Sequence, residues 1–135
     1  MMKQQLTWSL WLIRAAAIFC LIGAAMGAHM AGAGSYHQRP IHAHILVVGW
    51  LSLFSWGVYY RLFYIRAQKL AALHMYTALI GTIGLTSGMW LEFLKPFPLP
   101  DMVTLLVYII GGSILLLSFI LFFFTTFWIQ TKEEN

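Results

Sequence analysis

Charged side chains are scarce in this sequence. Of 135 residues, 8 are Lys or Arg and 4 are Asp or Glu, so 9% is charged while 61% is hydrophobic. A soluble domain carries about a quarter charged residues, and this balance excludes that class. Cysteine is nearly absent as well. Cys20 is alone inside an apolar run, so no disulfide forms within one chain, and it reads as a small packing residue. No Cys-x-x-Cys-His occurs, which excludes covalent attachment of a c-type haem. The formal charge of +4 is modest and spread along the chain. That pattern belongs to membrane flanks rather than to a nucleic-acid-binding face.

Four long apolar runs are what the chain has instead. They predict an all-α, four-transmembrane-helix bundle in a single domain over 1–135, with spans at 8–30, 41–64, 70–93 and 102–128. Each reaches the roughly 20 apolar residues that a bilayer core requires. The first run has a lysine before it and small residues after it, as a signal peptide does, but Arg14 sits badly in such a segment and a retained span is expected. The connectors are short, and the prolines of Lys95-Pro-Phe-Pro-Leu-Pro-Asp101 forbid helix through the third. Lys3, Arg61, Arg66, Lys69 and Lys132 fall on one side of an up-and-down threading, with only Arg39 and Lys95 on the other. The positive-inside rule then puts both termini in the cytoplasm, and a bacterial inner membrane is the expected location. Trp8, Trp11, Trp90 and Trp128 lie near span ends, where an interfacial belt is expected. Gly23-x-x-x-Gly27 and Gly81, Gly84 and Gly88 have the spacing of close helix contacts.

The polar residues concentrate in one stretch, Tyr36-His-Gln-Arg-Pro-Ile-His-Ala-His-Ile-Leu-Val-Val-Gly-Trp50. Neutral imidazole is a good ligand for iron, copper or zinc, and ionisable groups at a membrane helix end are costly enough to suggest a task. His42 and His44 are two residues apart, which turns them about 200° from one another on a regular helix. They cannot easily grip one metal together. Spacing alone leaves three readings open: interfacial residues bound to water and headgroups, one idle histidine beside one ligand, or a helix that serves a different metal site on each face.

Arg39-Pro-Ile-His42-Ala-His44-Ile-Leu-Val-Val-Gly-Trp50, continuing Phe54-Ser-Trp-Gly57-Val-Tyr-Tyr60, resembles the second helix of haem–copper oxidase catalytic subunits. It is most similar to the C-family oxidases and nitric oxide reductases, over about 25 residues and with a one-residue offset at the Trp and Gly. The resemblance implies that His42 and His44 are axial ligands of haem b and that Arg39 lies by the haem propionates. In the large subunits twelve spans form three arcs of four. A four-span chain would reproduce that ring as a homotrimer, with haem shared between neighbours. The further histidines of an oxygen- or nitric-oxide-reducing copper centre have no equivalent here. The expected function is therefore electron transfer through a bis-histidine haem, with quinol or a respiratory complex as partner. A copper- or zinc-binding membrane protein, or an accessory or assembly subunit, is the alternative.

Four other residues extend the candidate set. His37 and His29 share the outer layer with His42 and His44, as a propionate contact or a second metal ligand. His74 begins the third span on the inner side, more than about 10 Å in height from His44 by helical rise. It reads first as a hydrogen-bonded interior residue, then as a quinol contact or the ligand of an inner haem. Glu92, near the outer end of that span, is a solvated carboxylate or a proton carrier. The methionines form no spaced cluster, so a thioether copper site is not supported.

Overall fold

The structure, a computed structural model, describes residues 2–130. Four helices follow one another: α1 (Met2–Ala33), α2 (Arg39–Leu62), α3 (Gln68–Leu94) and α4 (Asp101–Thr125). All four are long and apolar enough to cross a membrane, as the sequence leads one to expect. Each helix satisfies its own backbone, which the hydrocarbon demands. The third connector behaves as its prolines require. α3 stops at Leu94, Lys95 caps it in the left-handed conformation at φ 44°, and α4 begins at Asp101. Lys95 Nζ donates to Asp101 Oδ1 at 2.7 Å across this exposed turn. That bond holds the ammonium above its ordinary range, so the link is present at neutral pH and lost only as pH rises through the raised value.

Two details depart from a regular up-and-down bundle. The second helix ends at Leu62, two residues before the expected limit, because Tyr64–Ile65 (β1) pairs antiparallel with Ile129–Gln130 (β2). Within α2, Ile45–Ser52 winds with i→i+5 bonds, and Ser52 Oγ accordingly donates to the Val47 carbonyl at 2.9 Å. Such widened turns are rare and often accompany function. This one begins directly after His42-Ala-His44.

Small residues set the packing. Across α3 and α4, an added Cβ on Gly111 would lie 2.2 Å from the Gly84 carbonyl carbon, and one on Gly88 would lie 2.5 Å from Tyr108 Cα. The two backbones therefore touch, and dispersion replaces the hydrophobic effect that lipid cannot supply. Gly23 and Gly27 belong to a different contact, against Leu46 and His42 of α2. Trp8 is not interfacial as expected. It is 4% exposed within the core, whereas Trp11, Trp90 and Trp128 are exposed.

The end of the bundle that carries Gln5 and the β1–β2 pair, here called the inner end, is tied by polar bonds. Gln5, 3% exposed, donates from Nε2 to the Tyr60 carbonyl at 3.0 Å and to that of Phe63. Its Oε1 accepts from Ile65 N and from Gln68 Nε2, both at 3.2 Å. One amide thus pins the end of α2, the β1 link and the start of α3. Replacing it by leucine leaves the N–H of the buried Ile65 without its acceptor and removes the tie to the Tyr60 carbonyl. Gln5→Leu is expected to lower stability by about 2–4 kcal/mol, read as earlier thermal unfolding in detergent.

Candidate functional site

The histidines fall into two groups at opposite ends of the bundle. In the outer layer, Pro40 at the second position of α2 fixes the helix start. His42 and His44 follow within the first two turns and project to different faces. The His42 ring lies on Gly27 of α1. A Cβ there would meet His42 Cε1 at 3.0 Å, so the absent side chain is what gives the ring its seat. His42 Nδ1 is buried and has no hydrogen-bond partner. His44 is turned away from that contact and half-buried. Its Nδ1 lies 2.8 Å from the Pro40 carbonyl. A carbonyl only accepts, so Nδ1 carries the proton and Nε2 keeps its lone pair.

His29, His37 and Arg39 are exposed. Arg39 places its guanidinium 4.3 Å over the Tyr36 ring, and His37 Nδ1 pairs with Ser35 Oγ at 2.6 Å. His29 occupies the last turns of α1. Glu92 is half-buried rather than free: Thr104 Oγ1 of α4 donates to its Oε2 at 2.5 Å. Among the described residues no three His, Cys, Asp or Glu side chains converge on one point.

Beside the outer histidines the two hairpins part. A groove of about 610 Å³ runs between α1, α2 and α3, floored by Phe19, Ile22, Met26, Ile41, Ile45 and Ile83. Its polar lining comes from Gln38, Thr86, Ser87 and Trp90. Thr86 spends its hydroxyl on the Thr82 carbonyl. Gln38 and Ser87 make no side-chain hydrogen bond among the described residues. The sequence gives no sign of this groove, because its lining comes from three separate spans at ordinary helical spacing.

At the inner end His74 is fully buried. It packs edge-on against Trp56 with ring centroids 4.8 Å apart, and against Phe122 at 5.5 Å. Its Nδ1 lies 2.6 Å from Tyr60 Oη, and Tyr60 donates to the Ala71 carbonyl at 3.2 Å. With that proton spent, Nδ1–H must donate to Oη, and Nε2 is left as a partnerless lone pair. An orphaned acceptor costs less than an orphaned N–H. His74 is thus the hydrogen-bonded interior residue read first from the sequence, and it is remote from the outer group. The importance of Tyr60 was not visible, since a tyrosine ending an apolar run normally signals an interface.

No family model, no curated protein and no solved structure matches this chain. Removing the phenol tests the inner pair. Tyr60→Phe strands the His74 N–H in an aromatic shell, at a cost of about 1–3 kcal/mol. Thermal unfolding should move to lower temperature, while Tyr59→Phe, whose hydroxyl meets Thr125 alone at 3.5 Å among the described residues, should move it less.

Proposed function

We propose that the chain is an integral membrane b-type haem protein that transfers electrons, with His42 and His44 as the axial ligands. The carrying observation is His44. Its Nδ1 is engaged by the Pro40 carbonyl, and its Nε2 lone pair is directed away from the α1 contact. Metal-ligating histidines have this form, one nitrogen oriented by a carbonyl and the other bound to metal. The glycine seat of His42 supports the reading from the other side, since it keeps an imidazole in place where a larger neighbour would displace it. Iron in a porphyrin needs only two axial side chains. Copper or zinc favours three or four convergent ligands, so the haem reading fits this donor set better.

Because the two rings leave α2 on different faces, each iron takes His42 from one protomer and His44 from the next. A homotrimer of twelve spans closes such a ring, which agrees with the resemblance of Arg39-Pro-Ile-His42-Ala-His44 to the haem–copper oxidase helix. Arg39 and His37, in the same outer layer, are suited to hold propionates by charge-assisted hydrogen bonds. A haem bound by two imidazoles supplies one-electron transfer and leaves no position for oxygen or nitric oxide. The outer groove favours quinol as the reductant, because an apolar floor with the free amide of Gln38 and hydroxyl of Ser87 suits a ring with polar oxygens and an apolar tail. The cationic end formed by Lys3, Arg61, Arg66 and Lys69 supports a cytoplasmic position for both described chain ends.

The absorption spectrum of the purified protein, oxidised and then reduced, is the direct test. A sharp reduced α band and Soret band are expected. His42→Ala and His44→Ala should each lower haem per protein roughly 10-fold or more. Gly27→Val should lower it as well, by moving the His42 ring. A colourless protein, or full haem content in the His44→Ala variant, rules out this ligand pair.

A further inference from the structure

Arg14 is the least expected residue of the membrane-spanning part. It lies inside the first span and is exposed on α1, about 13 Å further into the bundle than Gln5 at 1.5 Å per residue. Neither Arg14, Lys3 nor Arg61 has a side-chain partner among the described residues. A cation facing hydrocarbon is expensive and calls for an anion, and the described residues do not supply one.

The packing of α1 on α2 places these three cations on one flank. Gly57 of α2 is in contact with Ser9 and Ile13 of α1, and Ser9 Oγ donates to the Gly57 carbonyl at 2.7 Å. On one side of that seam lie the buried Trp8, Leu12, Leu53, Trp56 and Tyr60. At 100° per residue, Lys3, Leu10 and Arg14 turn to the other side of α1. Phe54 and Arg61 turn to the matching side of α2, and all five are exposed. Side chains lean toward the N-terminus of their own helix. The helices are antiparallel, so Arg14 leans back toward the headgroups while Arg61 leans inward, each in the direction of the other.

We propose that this flank binds an anionic phospholipid, its phosphate between Arg14 and Arg61 and an acyl chain along Leu10 and Phe54. A second copy of the chain fits less well, since the carboxylates of the described residues, Glu92 and Asp101, stand at the opposite end of the bundle. A phosphate offers the planar fork of arginine two oxygens at once, at the depth where the headgroups begin.

The test uses purified full-length protein stripped of lipid in a neutral maltoside detergent. Phosphatidylglycerol or phosphatidylcholine with identical chains is added back, and retained lipid is counted by native mass spectrometry. One phosphatidylglycerol should be held in preference. Arg14→Gln and Arg61→Gln should each weaken its retention roughly 5-fold, the effect of one basic residue at an anionic surface, and Lys69→Gln on α3 should leave it unchanged. Arg61→Gln changes only the exposed end of α2, so a folding failure at Arg14 would not hide the result. Equal retention of the two lipids, undiminished phosphatidylglycerol in the Arg61→Gln protein, or recovery of an acidic polypeptide on this flank in place of lipid would each overturn the proposal.

Discussion

Inside hydrocarbon no water is at hand to pair a polar atom, so each buried donor must meet an acceptor within the protein. This chain meets the requirement mostly at one end. Gln5 ties together the end of α2 and the start of α3, Tyr60 links Ala71 and His74, and Ser9 holds Gly57. Aromatic contacts from Trp56 and Tyr59 to Phe122 carry the connection across to α4. The β1–β2 pairing closes the same end. The two helical hairpins, α1 with α2 and α3 with α4, are latched there and fixed in register.

Among the described residues the opposite end has no such latch. The hairpins meet through apolar side chains, and the groove between them opens beside the start of α2. All the outer histidines stand at this less constrained end. The widened turns of Ile45–Ser52 follow them at once and shift the rotation of everything after Ile45 relative to a regular helix. The rotation angle between His42 and His44 is therefore set by the regular turn that contains them, and the packing of Gly49 on Phe19 is set by the widened part. A helix built in two windings can meet α1 closely without committing His44 to the same face.

Much of the fold was legible because the bilayer makes length and hydropathy sufficient. Four runs, a proline-filled connector and spaced glycines each had one physical meaning. The separation of His42 from His44 was legible too, since a spacing of two has a fixed angular consequence. What escaped notice depends on distant partners. Gln5 reads as an ordinary polar residue before a span, and its partners lie 55 to 63 positions away. Trp8 sits at the depth of an interfacial belt, but its azimuth on α1 turns it into the core. Strands of two residues carry no periodicity, so β1 and β2 left no trace. The seat of His42 on Gly27 was hidden because a Gly-x-x-x-Gly pair announces close approach without saying which side chain fills the space.

Burial is uneven among the spans, and this bears on how the chain lives in a membrane. α3 is the most enclosed and α4 the least, with 44% and 17% of their apolar windows buried. α3 is therefore the centre of the protomer, gripped by α4 through glycine contact and by α2 through His74. α1 and α4 leave broad apolar faces that lipid or a neighbouring protomer must cover. α2 differs from both, because its outer end adds imidazole to an otherwise apolar surface. A polar nitrogen on such a face costs free energy unless something binds it, and the Pro40 carbonyl attends to only one of the two nitrogens of His44. Nε2 keeps its lone pair free at that end, and it is the donor on which the proposed haem ligation rests.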